Sequence, residues 1–187
     1  MSFLLFDTIR FVHLLAVIIG FGVSFFADVM ILRTLRSRVD RHTLATIALQ
    51  HRIVLSALAV MWASGLTLVW LRTGFDAGQI SPKVYGKLLV VTLLTLNAFV
   101  IGGFAMPLLE RLEESNLLDL PLGRRLPLAC IAAISGASWI TALAFGVSDE
   151  LAKAPAMTIE NVILLTFGGV LVFACILAVG VPRRRAG

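Results

Sequence analysis

Between Ile9 and Leu32 the chain reads IRFVHLLAVIIGFGVSFFADVMIL, an apolar run that carries a histidine near one end and an aspartate near the other. Roughly 20 mainly apolar residues span the ~30 Å hydrocarbon core of a bilayer, so this run is long enough to cross one. An ionisable group inside such a helix costs about 3 kcal/mol or more, and it is normally turned towards protein. At about 100° per residue, Ala16, Gly20, Ser24, Ala27 and Asp28 all lie within about 60° of His13. Bulky residues such as Leu14, Ile18, Phe21 and Phe25 fill the rest of the circumference. A stripe of small and polar residues with an apolar back is the pattern of a helix packed against membrane partners.

The composition extends this reading to the whole chain. Of its 187 residues, 59% are hydrophobic and only 14% charged, and the mean hydropathy is +0.97. Soluble globular domains lie far from these values. Five apolar runs are expected as membrane spans: residues 9–32, 51–71, 88–106, 126–147 and 159–181. Together they predict an all-α, polytopic, five-transmembrane-helix bundle forming a single domain. No cleaved leader is expected, because the N-terminus lacks a basic stretch and no small-residue cleavage site follows the first run. Cys130 and Cys175 sit within apolar runs and read as packing residues rather than a disulfide.

Charge sets the expected orientation. The net charge of +5 would suggest nucleic acid in a soluble chain, but here the cations collect between spans, so no nucleic-acid partner is expected. With the N-terminus outside, eleven of the 16 Lys and Arg residues fall on the inner side, among them Arg33, Arg41, Arg52, Arg111 and Arg183–Arg185. Cytoplasmic loops carry such an excess, so the N-terminus is expected outside and the C-terminus in the cytoplasm. The expected location is a bacterial inner membrane, with the bilayer itself as the first partner. The connecting segments 37–48 and 110–125 contain no phosphate-binding glycine loop, nucleophile elbow or cysteine-pair metal motif.

Candidate chemistry therefore rests on a few ionisable residues within the spans. His13 lies near the outer interface, with Lys87 opening the third span at a similar depth. Neutral imidazole is a common metal and haem ligand; the plainer reading of His13 is a hydrogen bond to a neighbouring helix. Lys87 reads either as a lysine snorkelling to the interface or as the partner of an anionic group beside His13. Asp28 lies about 22 Å further along the first helix, near His51 and Arg52 at the start of the second. A structural charge pair of Asp28 with Arg52, or with His51, is expected, because charges inside membranes tend to pair.

Several short motifs carry a resemblance. The first-helix run F-V-H-L-L-A-V-I-I-G-F-G, the second-helix Gln50-His51-Arg52-Ile53 leading to Ser64-Gly65-Leu66, and the third-helix Lys87-Leu88-Leu89-Val90-Val91 are similar to segments of two related families. One is the haem-binding protoporphyrinogen oxidase family of small bacterial membrane proteins; the other is the copper-resistance D-type membrane family. The resemblance covers roughly the first 110 residues. It implies His13 as the axial ligand of a haem b, Lys87 as the partner of a propionate, and room for the macrocycle at Ala16 and Gly20. Asn97 stands where the family pattern has a further histidine, Asp28 where it has a basic residue, and the fifth span lies outside it.

The expectation that follows is a membrane protein that binds haem b or a related porphyrin, with a possible oxidoreductase role on a porphyrin or quinone. Two alternatives stand beside it. One is a non-enzymatic copper- or metal-handling protein. The other is a cofactor-free structural or assembly subunit, in a homo-oligomer or with a partner membrane subunit.

Overall fold

The structure of the chain, a computed structural model, describes residues 3–34, 39–112 and 117–180. Five helices are long and apolar enough to cross a membrane: α1 (Phe3–Thr34), α2 (Arg41–Thr73), α3 (Pro82–Glu110), α4 (Leu122–Val147) and α5 (Ala156–Gly180). All five expected spans are present, and most are longer than the apolar runs alone indicate. The largest extension is in α2, which begins at Arg41. There the Asp40 side chain accepts a 2.9 Å hydrogen bond from the Thr43 N–H, supplying the acceptor that an open helix N-terminus needs. Leu44 and Ile47 then bury the first turns, so a stretch read as a loop is an amphipathic helix. At its other end α2 stops at Gly74, which takes a left-handed φ of 57°, the conformation glycine adopts at least cost.

Pro107 does not close α3. The helix widens into a single π turn, Ile101–Ala105, and resumes as Met106–Glu110. Proline lacks the N–H that an α-helical ladder requires, and a π turn absorbs that loss with one longer hydrogen bond, from the Met106 N–H to the Ile101 carbonyl.

Helices α1 and α2 form one tightly packed antiparallel hairpin and α4 and α5 another, while α3 packs chiefly on α4 and more lightly on α5 and α2. The core has three parts. At the Asp28 end, Ile47, Met106, Leu109 and Leu117 pack together. Midway, Ala16, Leu58, Met61, Leu94 and Trp139 join α1 to α4. At the His13 end, Val90, Phe145 and Ile159 close the bundle. No residue in the most apolar window of α5 is buried, and Leu164, Leu165, Phe173 and Ile176 stand exposed on it. Water would not tolerate so continuous an apolar surface on a single chain; lipid does.

Candidate functional site

At the His13 end, the imidazole is engaged by protein. His13 Nδ1 lies 3.0 Å from the Ser64 hydroxyl on α2, and the ring rests on Gly65, where an added Cβ would sit 3.2 Å from His13 Cε1. Ser64 in turn donates to the Val60 carbonyl at 2.6 Å. Lys87 is half-buried and within electrostatic range of His13, as well as of Lys83, Arg72 and Arg10. The fold thus brings His13 and Lys87 together, in a field made cationic by three further side chains. Lys83 is held by the Ser148 carbonyl at 2.5 Å, and Arg72 lies over the Phe6 ring at 5.2 Å.

The small-residue stripe of α1 is filled by α4. An added Cβ on Gly20 would meet Trp139 Cη2 at 2.4 Å, so the indole lies directly on the glycine backbone. Trp139 is 1% exposed and meets Phe21 edge-on, with ring centroids 6.4 Å apart. Four residues further on, Ser24 and Ser135 bridge α1 and α4 at 3.2 Å. The face of α1 at Gly20 is therefore occupied by a side chain, and the residues there do not fit a macrocycle.

The open space lies at the other end. A cavity of about 480 Å³ is walled by residues from all five helices. Most of its wall is apolar, including Leu94, Ile131, Val170 and Phe173, but Asp28, Gln50, His51, Asn97 and Arg125 also line it, and the Arg125 Nε is buried without a hydrogen-bond partner. Each owes its place to helical register. Asp28 is on the small-residue stripe of α1, one turn past Ser24. Gln50 and His51 are on the inner side of α2, and the His51 ring rests on Gly102 of the π turn, where a Cβ would meet Nε2 at 3.1 Å. Asn97 is one turn before that π turn and donates through Nδ2 to the Ile131 carbonyl at 3.0 Å.

Comparison of the chain with protein-family models, curated proteins and solved structures found no match. The site must be read from its own chemistry.

The expected charge pair of Asp28 is not formed. No ion pair or hydrogen bond joins Asp28 to Arg52 or His51. Arg52 shares the exposed face of α2 with Leu49, Ser56 and Val60, pointing away from α1, as a long basic side chain near a membrane interface can. His51 is the member of the expected trio that shares the cavity with Asp28.

Two polar groups carry most of the information, and reasoning from the sequence did not single them out for this site. Gln50 is 6% exposed; its Nε2 meets only the Met30 thioether, at 3.6 Å, and its Oε1 is buried without a hydrogen-bond partner. Asn97 spends Nδ2 on Ile131, and its Oδ1 has no partner among the described residues. Their signal was available as amides inside otherwise apolar runs, but which face each occupied depended on helix boundaries that the hydropathy pattern misplaced. Among the described residues no three His, Cys, Asp or Glu side chains come together as a metal-binding group.

Proposed function

We propose that this chain is a multi-pass membrane protein whose activity is to hold a lipophilic small molecule in the cavity between its five helices. The single observation behind this reading is the cavity itself: about 480 Å³ of space, apolar-walled, with a few polar side chains from α1, α2, α3 and α4 on its wall. Sites that bury small ligands have this size, this apolar lining and a few placed polar groups. The expected topology, N-terminus outside and C-terminus in the cytoplasm, puts the cavity in the cytoplasmic half of a bacterial inner membrane.

The haem reading centred on His13 is not the one the geometry favours, because Ser64 and Gly65 hold the imidazole and Trp139 fills the space at Gly20. A porphyrin or quinone remains testable as the occupant of the cavity, where His51 supplies an imidazole. The cofactor-free subunit reading is favoured by that same Ser64 bond and Trp139 packing, which give the α1 stripe a purely structural role. The copper reading lacks a ligand cluster among the described residues.

Purification in mild detergent, followed by an absorption spectrum and mass spectrometry of an organic extract, tests the proposal. About one lipophilic molecule per chain is expected, and it should be lost from Ala174→Phe, which fills the cavity from α5. An extract that contains only bulk lipid, equal in amount in the two proteins, would leave the cofactor-free subunit as the better reading.

A further inference from the structure

At the His13 end of the bundle three cations act on a fourth, and no anion meets them. Lys83 and Lys87 stand one turn apart on the same face of α3. Arg72, near the end of α2, lies over the Phe6 ring, and Arg10 follows Phe6 by one turn of α1. Lys87 is within electrostatic range of Lys83, Arg72 and Arg10, and no carboxylate is among the charges that act on it. The carboxylates of this end are Asp7, Asp76, Asp149, Glu150 and Glu160. Asp76 is engaged by the Gly78 N–H and the Gln79 amide. Among the described residues none of the five forms an ion pair with the four cations, and of the four only Lys83 hydrogen-bonds protein, through the Ser148 carbonyl.

The depth of these side chains makes the arrangement costly without a counter-charge. Trp70 and Tyr85 stand exposed at this end, and amphipathic rings of this kind mark a membrane interface. Arg72 and Lys83 lie two residues outside those rings, whereas Lys87 lies inside them and is half-buried. A lysine at such depth ordinarily snorkels its ammonium back to the interface. Here that route is lined by Lys83 and Arg72, so snorkelling brings like charges together. Four solvated cations at a headgroup boundary is the plainer reading. It fits the exposed Arg10 and Arg72 but not half-buried Lys87 or Lys83, which is 8% exposed.

We propose that this cluster seats the phosphodiester headgroup of an anionic phospholipid, with Lys87 beneath the phosphate and Arg72 and Arg10 closing on it from the exposed side. Arginine binds phosphate oxygens in pairs, and stacking on Phe6 leaves the edge of the Arg72 guanidinium open for that. One and two turns deeper than Arg10 along α1, Leu14 and Ile18 stand exposed, an apolar track for an acyl chain. A zwitterionic headgroup carries its own cation into the cluster. A free phosphate shares the charge but has no apolar part for the track, so the lipid is the source that the depth favours. This site is at the opposite end from the cavity and does not rest on it.

Native mass spectrometry of the full chain in mixed micelles, titrated with phosphatidylglycerol or phosphatidylcholine, tests the proposal. Wild type should bind phosphatidylglycerol about tenfold or more tightly, since each Lys or Arg near a membrane surface adds about fivefold towards an anionic lipid. Lys87→Gln and Arg72→Gln should each lower that affinity about fivefold, and Lys87→Arg, which keeps the charge, should retain most of it. Lys153→Gln removes a cation from the same end that does not act on Lys87, and it should change nothing. Equal losses in Lys153→Gln and Lys87→Gln would mean diffuse attraction and overturn the site, as would equal binding of the two lipids by wild type. Calorimetric titration of inorganic phosphate into the chain in phosphatidylcholine nanodiscs separates the other source. Lys87-dependent binding of phosphate, without a preference for phosphatidylglycerol, would make the ligand a soluble anion and overturn the lipid.

Discussion

Trp139 packs its Cη2 edge against Gly20, a close contact between α1 and α4. Gly20→Ala would drive a methyl group to within 2.4 Å of the indole. Overpacking of this kind costs about 1–3 kcal/mol, so unfolding in mixed micelles should shift to lower denaturant; an unchanged midpoint would contradict the contact. The bond between His13 and Ser64 makes a different kind of contribution. Hydrogen bonds between membrane helices average about 0.6 kcal/mol in double-mutant cycles. The cycle of His13→Ala, Ser64→Ala and the double variant should give a coupling of about that size. His13→Ala should also leave the binding of lipophilic probes as it is in wild type. A loss of binding in that variant would return the site to the His13 end.

Asp40 shows how an element boundary depends on one side chain. Hydrogen bonds from Thr43, first from its side-chain hydroxyl and then from its backbone N–H, hold the Asp40 pKa below the ordinary value of 3.8. A carboxyl whose folded pKa is depressed stabilises the fold above its unfolded pKa, and that stabilisation is lost as pH falls through the folded value. Acidification from pH 3.8 downwards should therefore lower the melting temperature of wild type more than that of Asp40→Ala; parallel curves would show that the cap contributes nothing. The same cap marks where reading by hydropathy fell short. Five spans were legible because long apolar runs have few other fates. Residues 41–50 were not legible as helix, since their pattern buries only Leu44, Ile47 and Gln50 and leaves Arg41, Ala45 and Leu49 outside. Lengthening α2 by that stretch fixes the faces of Gln50, His51 and Arg52, and so decides that His51 rather than Arg52 shares a space with Asp28. The third span was expected to stop at residue 106, just before Pro107, because proline ends most helices; the π turn Ile101–Ala105 instead carries α3 past it to Glu110. The inward stripe of α1 was legible from spacing alone. What fills it was not, because Trp139 is more than a hundred residues away in the chain.

For the molecule as a whole, five helices with apolar outer faces line a sizeable, partly open cavity near the end that carries more arginines. The excess of Lys and Arg in segments 33–52 and 110–125 and in the C-terminal tail is the ground for proposing that this end faces the cytoplasm. A reporter fused after Arg185 should be active only in a cytoplasmic format; activity only in the periplasm would invert the topology. The central claim is that the space between the helices holds a ligand rather than forming a packing gap. Native mass spectrometry of the full chain, released gently from detergent, reads this directly. Wild type should retain a single small-molecule adduct that Ala174→Phe lacks, whereas a bare wild-type chain, or the same adduct on both proteins, would contradict the claim.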